Sequence, residues 1–277
     1  MKYNAFADEC GCSIEEQISA IIRNNLNGIE IRYIDNENIT HINKSKIKKC
    51  SELLKAENIK IWAIASPIGK ITLDSDFNNQ IELLKHCIEI SHILETKYIR
   101  IFSFYTINEK SISWNSEQVL IRLQSLMDIA RDNNIVLCLE NEKGTYGYNA
   151  SNCLSIFKTI PNLRGVFDPA NYIACGQDVI EAWNLLKNYI EYLHIKDALK
   201  DGTIVLPGQG IGHLSYIFNE YKNMGGRAVT IEPHLKKLSF FDDLERKEKS
   251  KIITSDLNSQ DLFQRACEAF FRNVCEM

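Results

Sequence analysis

Short apolar runs alternate with longer amphipathic segments along the whole chain. The runs lie at residues 3–6, 28–32, 59–65, 98–104, 135–140, 163–168, 192–196 and 228–232. Each is four to seven residues long and rich in β-branched or aromatic side chains, the pattern of a buried strand. Between them, apolar positions recur every three to four residues over 13–25, 44–56, 75–95, 116–133, 149–160, 179–186 and 213–224. That spacing predicts helices with one buried face. Ser13 followed by Glu16, just before Ile18, Ile21 and Ile22, is a capping-box start signal. Strand–helix alternation over the full length predicts a parallel sheet covered by helices. Eight repeats in about 240 residues fit a closed (β/α)8 TIM barrel better than an open doubly wound sheet. No Gly-x-Gly-x-x-Gly follows the first strand, which removes the main sign of a dinucleotide-binding half. No linker or composition break divides the chain, so residues 1–277 are expected to form a single domain. Residues 236–256 are charged and expected to be irregular, and 260–274 predict an extra C-terminal helix.

In such a barrel, side chains at the carboxyl ends of the strands converge over the packed interior. Four successive runs end in Glu140, Asp168, His194 and Glu232. A carboxylate at one strand end is as well explained by a helix N-cap or a surface group. Three carboxylates and an imidazole in this order point instead to one metal site. Oxygen-rich ligation with one imidazole suits Mn²⁺ foremost, with Mg²⁺, Co²⁺ and Zn²⁺ also accommodated. Period-two geometry aims Lys196 and Glu142 toward the same side as His194 and Glu140, and makes both candidate substrate contacts. Asp197 fits a loop cap equally well. His234, two residues past Glu232, also faces the mouth in this reading. Arg100, Lys70 and Lys143 suit a phosphate or an acidic sugar, or ordinary ion pairs with neighbouring glutamates. Gly208-x-Gly210-x-Gly212 reads as a flexible loop.

Bulk properties narrow the picture further. A net charge of −4 provides no electrostatic footprint for nucleic acid. The cluster at 246–251 mixes both signs and reads as a solvated helix face. No apolar h-region opens the chain, and no run approaches the roughly 20 apolar residues of a membrane span. The nine cysteines include no C-x-x-C pair and are expected to be reduced thiols; Cys10-x-Cys12 lies just after the first strand. These features predict a cytoplasmic protein without membrane or nucleic-acid partners, with a homo-oligomer left open.

The strand-end segments resemble the sugar phosphate isomerase/epimerase family of xylose-isomerase-like TIM barrels, which includes ketose 3-epimerases, inosose dehydratase and endonuclease IV. The segments are Phe6-Ala7-Asp8-Glu9, Ile99-Arg100-Ile101-Phe102-Ser103-Phe104, Glu140-Asn141-Glu142-Lys143-Gly144, Phe167-Asp168-Pro169-Ala170-Asn171, His194-Ile195-Lys196-Asp197-Ala198 and Glu232-Pro233-His234-Leu235. The resemblance implies that Glu140, Asp168, His194 and Glu232 are the metal ligands. It also implies that Glu140 and Glu232 face opposite sides of the substrate carbon. One would remove a proton and the other return it, through an enediolate, on a small sugar or sugar phosphate. Two positions depart from the ketose 3-epimerase pattern: Asn171 stands where a histidine is common, and Lys200 where an arginine is common. Both remain candidate substrate contacts, and they leave epimerase, isomerase and dehydratase or lyase open. An endonuclease IV-type site needs several more histidines at strand ends, and the third and fourth strands end in Ala65-Ser66 and in residues 102–104 without one.

Overall fold

The computed structural model describes residues 1–238, 249–253 and 255–276. In chain order the strands are β1 Lys2–Ala5, β2 Gly28–Ile31, β3 Tyr33–Ile34, β4 Glu37–Asn38, β5 Lys60–Ala65, β6 Tyr98–Ile101, β7 Val136–Glu140, β8 Arg164–Phe167, β9 Ile190–Ile195, β10 Asp197–Ala198, β11 Thr203–Val205, β12 Ala228–Ile231 and β13 Lys251–Ile252. The helices are α1 Ile14–Arg23, α2 Lys44–Ala56, α3 Asn78–Ile93, α4 Ile112–Arg131, α5 Ala150–Thr159, α6 Pro169–Ala174, α7 Val179–Leu186 and α8 Leu214–Asn223, with a final helix Ser259–Phe270. Eight strands close in the order β1-β12-β9-β8-β7-β6-β5-β2, all parallel, as the alternation predicts. Among the described residues no helix is long and apolar enough to cross a membrane.

Local sequence sets the element starts. Ser13 accepts the Glu16 amide and Glu16 reaches back to the Ser13 amide, the predicted capping box. Asn43, Asn149, Asp178 and Asn258 cap α2, α5, α7 and the final helix by accepting one amide of the first turn. Ser111 accepts the Trp114 amide and starts α4 four residues before the expected position.

The site is positioned by two-residue alternation inside the barrel. Ala63, Tyr98, Cys138, Val166, Tyr192 and Ala228 form an apolar floor. Two residues further along the same inward faces stand Arg100, Glu140, Asp168 and His194, with Glu232 four beyond Ala228. Trp62 stacks on Tyr98 at 4.6 Å and closes the floor.

Three expectations are corrected. Residues 236–256 are not irregular throughout: β13 pairs in parallel with β11, Thr203 beside Lys251 and Ile204 beside Ile252. A two-residue strand is too short to leave a periodic signal. Within the cluster at 246–251, residues 246–248 lie outside the described residues, while Lys251 belongs to this strand rather than to a helix face. The Gly208–Gly212 loop is also tied down rather than flexible. Its amides at Gly208 and Gly210 donate to Asp197 Oδ2, and those of Gly212 and Ala198 to Oδ1, all at 2.9 Å. A Cβ at Gly210 would fall 2.3 Å from both the Ala198 carbonyl oxygen and Asp197 Oδ1, so glycine is a steric requirement there.

Candidate metal and active site

Glu140 ends β7, Asp168 follows β8, His194 lies in β9 and Glu232 follows β12. One ligand atom from each lies within 4.8 Å of those of the others, and all four residues are buried. His194 Nδ1 is 3.1 Å from Glu140 Oε1 and 3.2 Å from Glu232 Oε2. Asp168 has two tasks. Its Oδ1 accepts the Asn171 amide at 3.1 Å and starts α6 with Pro169 in the first turn, while Oδ2 faces Lys196 Nζ at 3.1 Å. The N-cap and site readings of this carboxylate therefore coexist, one on each oxygen.

Lys196 also reaches Glu232 Oε1 and Asn171 Oδ1, each at 3.3 Å. Arg100 Nη1 lies 3.1 Å from Glu140 Oε2, an ion pair without hydrogen-bond geometry. Asn171 is turned inward, donating to the Asn141 carbonyl at 2.9 Å and to Glu140 Oε1 at 3.4 Å. Glu142 is half-buried and paired with Lys70 at 2.6 Å. After Pro233 the chain turns left-handed at His234, whose φ is +49°. This aims its amide at Glu9 Oε2 and sets its Nδ1 3.4 Å from Glu232 Oε1.

Above the cluster opens a cavity of about 620 Å³. Arg100, Glu140, Glu142, Asn171, Lys196, Glu232 and His234 all line it, as do Lys70 and Lys143. Lys200 is exposed in the turn after β10 and is not among the lining residues, although its neighbours Asp201 and Gly202 are. The β11–β13 pairing brings Lys249, Ser250 and Lys251 to the rim.

A model of the xylose isomerase-like TIM barrel family matches residues 18–252. The chain belongs to this family. No curated protein matches it in sequence. Among solved structures it is similar to the probable 3-DHS dehydratase AsbF of Bacillus anthracis, at 16% identity and TM-score 0.75 over 98% of each chain. It is also similar to D-psicose 3-epimerase of Clostridium cellulolyticum H10, solved with D-tagatose, at 13% identity and TM-score 0.76 over 99% of this chain and 98% of that one. The zinc-bound IOLI protein is 18% identical, at TM-score 0.75, over 100% and 99% of the two chains. At these identities the likeness establishes the shared fold.

In this xylose isomerase-like barrel the buried cluster could hold a cation. Four buried carboxylates, Glu30, Glu140, Asp168 and Glu232, stand among Arg100, Lys196, the more distant Arg32 and His194, whose proton affinity they raise. Glu140 Oε2 and Glu232 Oε2 are buried and make no hydrogen bond, a cost that a cation would remove. Burial works against ionisation of Glu140, but His194 and Arg100 outweigh it and hold its carboxyl down at about 2. Burial pushes Asp168 the other way, up to about 6, despite Lys196. Burial lowers the affinity of His194 for a proton, yet Glu140 and Glu30 overcome it and raise its pKa well above the usual imidazole value. A second set, Glu9, Glu232 and His234, also clusters within 4.8 Å, but Arg32 already sits 3.1 Å from Glu9.

Several supporting residues stand at strand ends in the sequence, Glu30-x-Arg32 and Asn141 among them, but spacing alone assigns them no role. Arg32 clamps Asp8 with two hydrogen bonds, of 2.9 and 3.0 Å, binds Glu9, and lies 3.9 Å from Glu232. Asn141 exchanges two hydrogen bonds with the Asp168 backbone, at 2.9 and 3.0 Å, and fixes the height of that strand end. Glu30 contacts the far side of His194. The available signal for Glu30 was a carboxylate between Ile29 and Ile31 in an otherwise apolar run.

Proposed function

We propose that this protein is a divalent-metal-dependent isomerase or epimerase of a small sugar or sugar derivative. In this reading it moves a proton at a carbon beside a carbonyl. The observation that carries the reading is the pair Glu140 and Glu232. They come from strands three steps apart on an eight-strand ring, and each keeps one buried oxygen without a hydrogen bond. Glu140, Asp168, His194 and Glu232 would hold the ion; the oxygen-rich set with one imidazole suits Mn²⁺ foremost, and Mg²⁺, Co²⁺ or Zn²⁺ as well. When bound, such an ion is a Lewis acid toward a carbonyl and its neighbouring hydroxyl, and it acidifies the C–H between them.

The protein's own groups supply the rest. Arg100 and Lys196 keep Glu140 and Glu232 anionic, and each carboxylate would accept a proton at Oε2, which makes no hydrogen bond although Arg100 stands beside that of Glu140 and His194 beside that of Glu232. The family resemblance implies that the two carboxylates flank the substrate carbon, so that removal by one and return by the other would invert it. Return to the neighbouring carbon isomerises the sugar. Asn171 cannot shuttle a proton; its amide fixes Glu140 and orients Lys196. Glu142, Lys70 and His234 line the cavity where substrate hydroxyls would lie, with the face of Phe102 beneath Lys70.

The test is solvent-deuterium exchange by the Mn²⁺-loaded protein over a panel of ketoses, ketose phosphates and inososes. Deuterium should enter the carbon beside the carbonyl of at least one sugar. Glu140→Gln and Glu232→Gln should each slow that exchange by about 10²–10⁴-fold. No exchange into any panel member refutes the reading. An unsaturated product formed with exchange would mark loss of a β-hydroxyl, the dehydratase branch of the same first step.

A further inference from the structure

An imidazole that binds a metal must present a bare nitrogen, and the proton of the neutral ring then sits on the other one. In His194 the two nitrogens have different surroundings. Nδ1 faces Glu140 Oε1 and Glu232 Oε2, inside the ligand cluster. Nε2 faces Glu30 Oε2 at 3.1 Å, on the side away from it. The second oxygen of Glu30 accepts the Tyr192 hydroxyl at 2.8 Å. Glu30 and His194 are fully buried, so neither contact competes with water.

We propose that Glu30 is a positioning residue that holds the Nε2 proton of His194 and so leaves Nδ1 bare and aimed into the cluster for a divalent ion. This rests on the reading that Glu140, Asp168, His194 and Glu232 hold such an ion. The β2–β5 register shifts between Ile29 and Glu30. An irregularity of that kind re-aims a side chain, and here Glu30 points across the barrel interior to β9 rather than along its own neighbours. Tyr192 lies two residues before His194 on the same inward face and donates to Glu30, so strand periodicity supplies both ends of the chain from Tyr192 through Glu30 to His194. A carboxylate on the distal nitrogen fixes ring orientation and makes the ligating nitrogen more basic. Arg100, Glu140's partner, also acts on Glu30 through its charge.

The experiment measures Mn²⁺ affinity by titration calorimetry on the metal-stripped full-length protein. Glu30→Leu should weaken Mn²⁺ binding by about 10–100-fold. Glu30→Gln keeps an acceptor for Nε2–H and should recover much of that loss. A Glu30→Leu protein that binds Mn²⁺ within about threefold of the wild type overturns the proposal, whatever its activity. The wild-type protein provides a readout that no folding defect can confuse. In its Zn²⁺-loaded form, imidazole ¹⁵N NMR should show His194 protonated at Nε2 with Nδ1 on the metal. A proton at Nδ1, or metal at Nε2, overturns the proposal. A wild-type protein that takes up neither ion overturns the metal site itself, whereas normal uptake with an unmoved Glu30→Leu affinity overturns only the role of Glu30.

Discussion

Replacing Lys196 with methionine separates the lysine's part in the empty cluster from its part in the loaded one. Lys196 is buried, with Nζ 3.1 Å from Asp168 Oδ2 and 3.3 Å from Glu232 Oε1. Removing one partner of a buried ion pair costs ~3–5 kcal/mol, because the other charge is left without compensation. Here Asp168 already sits up at about 6 and takes a proton more readily once the lysine is gone. That places the loss near the lower end, about 3 kcal/mol in the metal-stripped protein, or a Tm lower by about 6 °C for a chain of this size. A divalent ion satisfies the same two carboxylates, so with Mn²⁺ saturating the loss should shrink to about half. The difference, about 1.5 kcal/mol, is a Mn²⁺ Kd roughly tenfold tighter in Lys196→Met than in the wild type. Calorimetric melts of stripped and Mn²⁺-saturated protein, with titrations of both, check the prediction. Equal Tm losses with and without Mn²⁺, or an unchanged Kd, refute the idea that lysine and ion compensate the same oxygens.

Mn²⁺ affinity should already fall as pH drops through neutrality, because His194, raised above the usual imidazole value, must lose its proton to ligate, and fall more steeply through about 6, where Asp168 must lose its own. The slope approaches tenfold per pH unit for each proton released, and a Kd flat between pH 7 and 5 contradicts it. In the stripped protein the raised pKa of Asp168 works in reverse: its stabilising contribution is full below the unfolded value of about 3.9 and is lost as pH rises through about 6. Gly210→Ala should lower Tm by about 6 °C, from ~1–3 kcal/mol of overpacking plus a weakened bond from its amide to Asp197. A shift under 2 °C would show that the loop yields without cost. Asn141→Ala, which breaks both bonds to the Asp168 backbone, should weaken Mn²⁺ binding at least severalfold in the same titration; an unaltered Kd would assign Asn141 to stability alone.

The barrel was legible because each buried strand is a compact apolar run, and because helices of ten or more residues repeat their apolar face several times. The four clustered residues were legible for a related reason: each ends such a run, and polar groups next to buried strands are few. Lys251 and Ile252 illustrate what was hidden. Their strand exists through pairing with Thr203 and Ile204, some fifty residues away, and two residues carry no period. Asp197 was ambiguous because three of its four amide donors come from the loop that it organises. Glu30 was hidden differently. Its neighbours in sequence predict a buried strand, but its partners Tyr192 and His194 lie three strands away around the ring, and sequence spacing carries no trace of that contact.

One polar atom from each of Glu140, Asp168, His194 and Glu232 lies within 4.8 Å of the others, and three carboxylates so close in a buried site need compensating charge. Lys196 and a proton-hungry His194 provide the compensation, each lying between two of the carboxylates. In the proposed reading, loading the site would be an exchange rather than an addition: an ion would take the place of protons on His194 and Asp168 and loosen the hold of Lys196 on Asp168 and Glu232. Lys196 would remain on the cavity wall, beside the carboxylates that would move the substrate's proton. In a barrel whose inward faces repeat every two residues, Lys196 can serve in both states because it is the next inward position after His194 on the same strand.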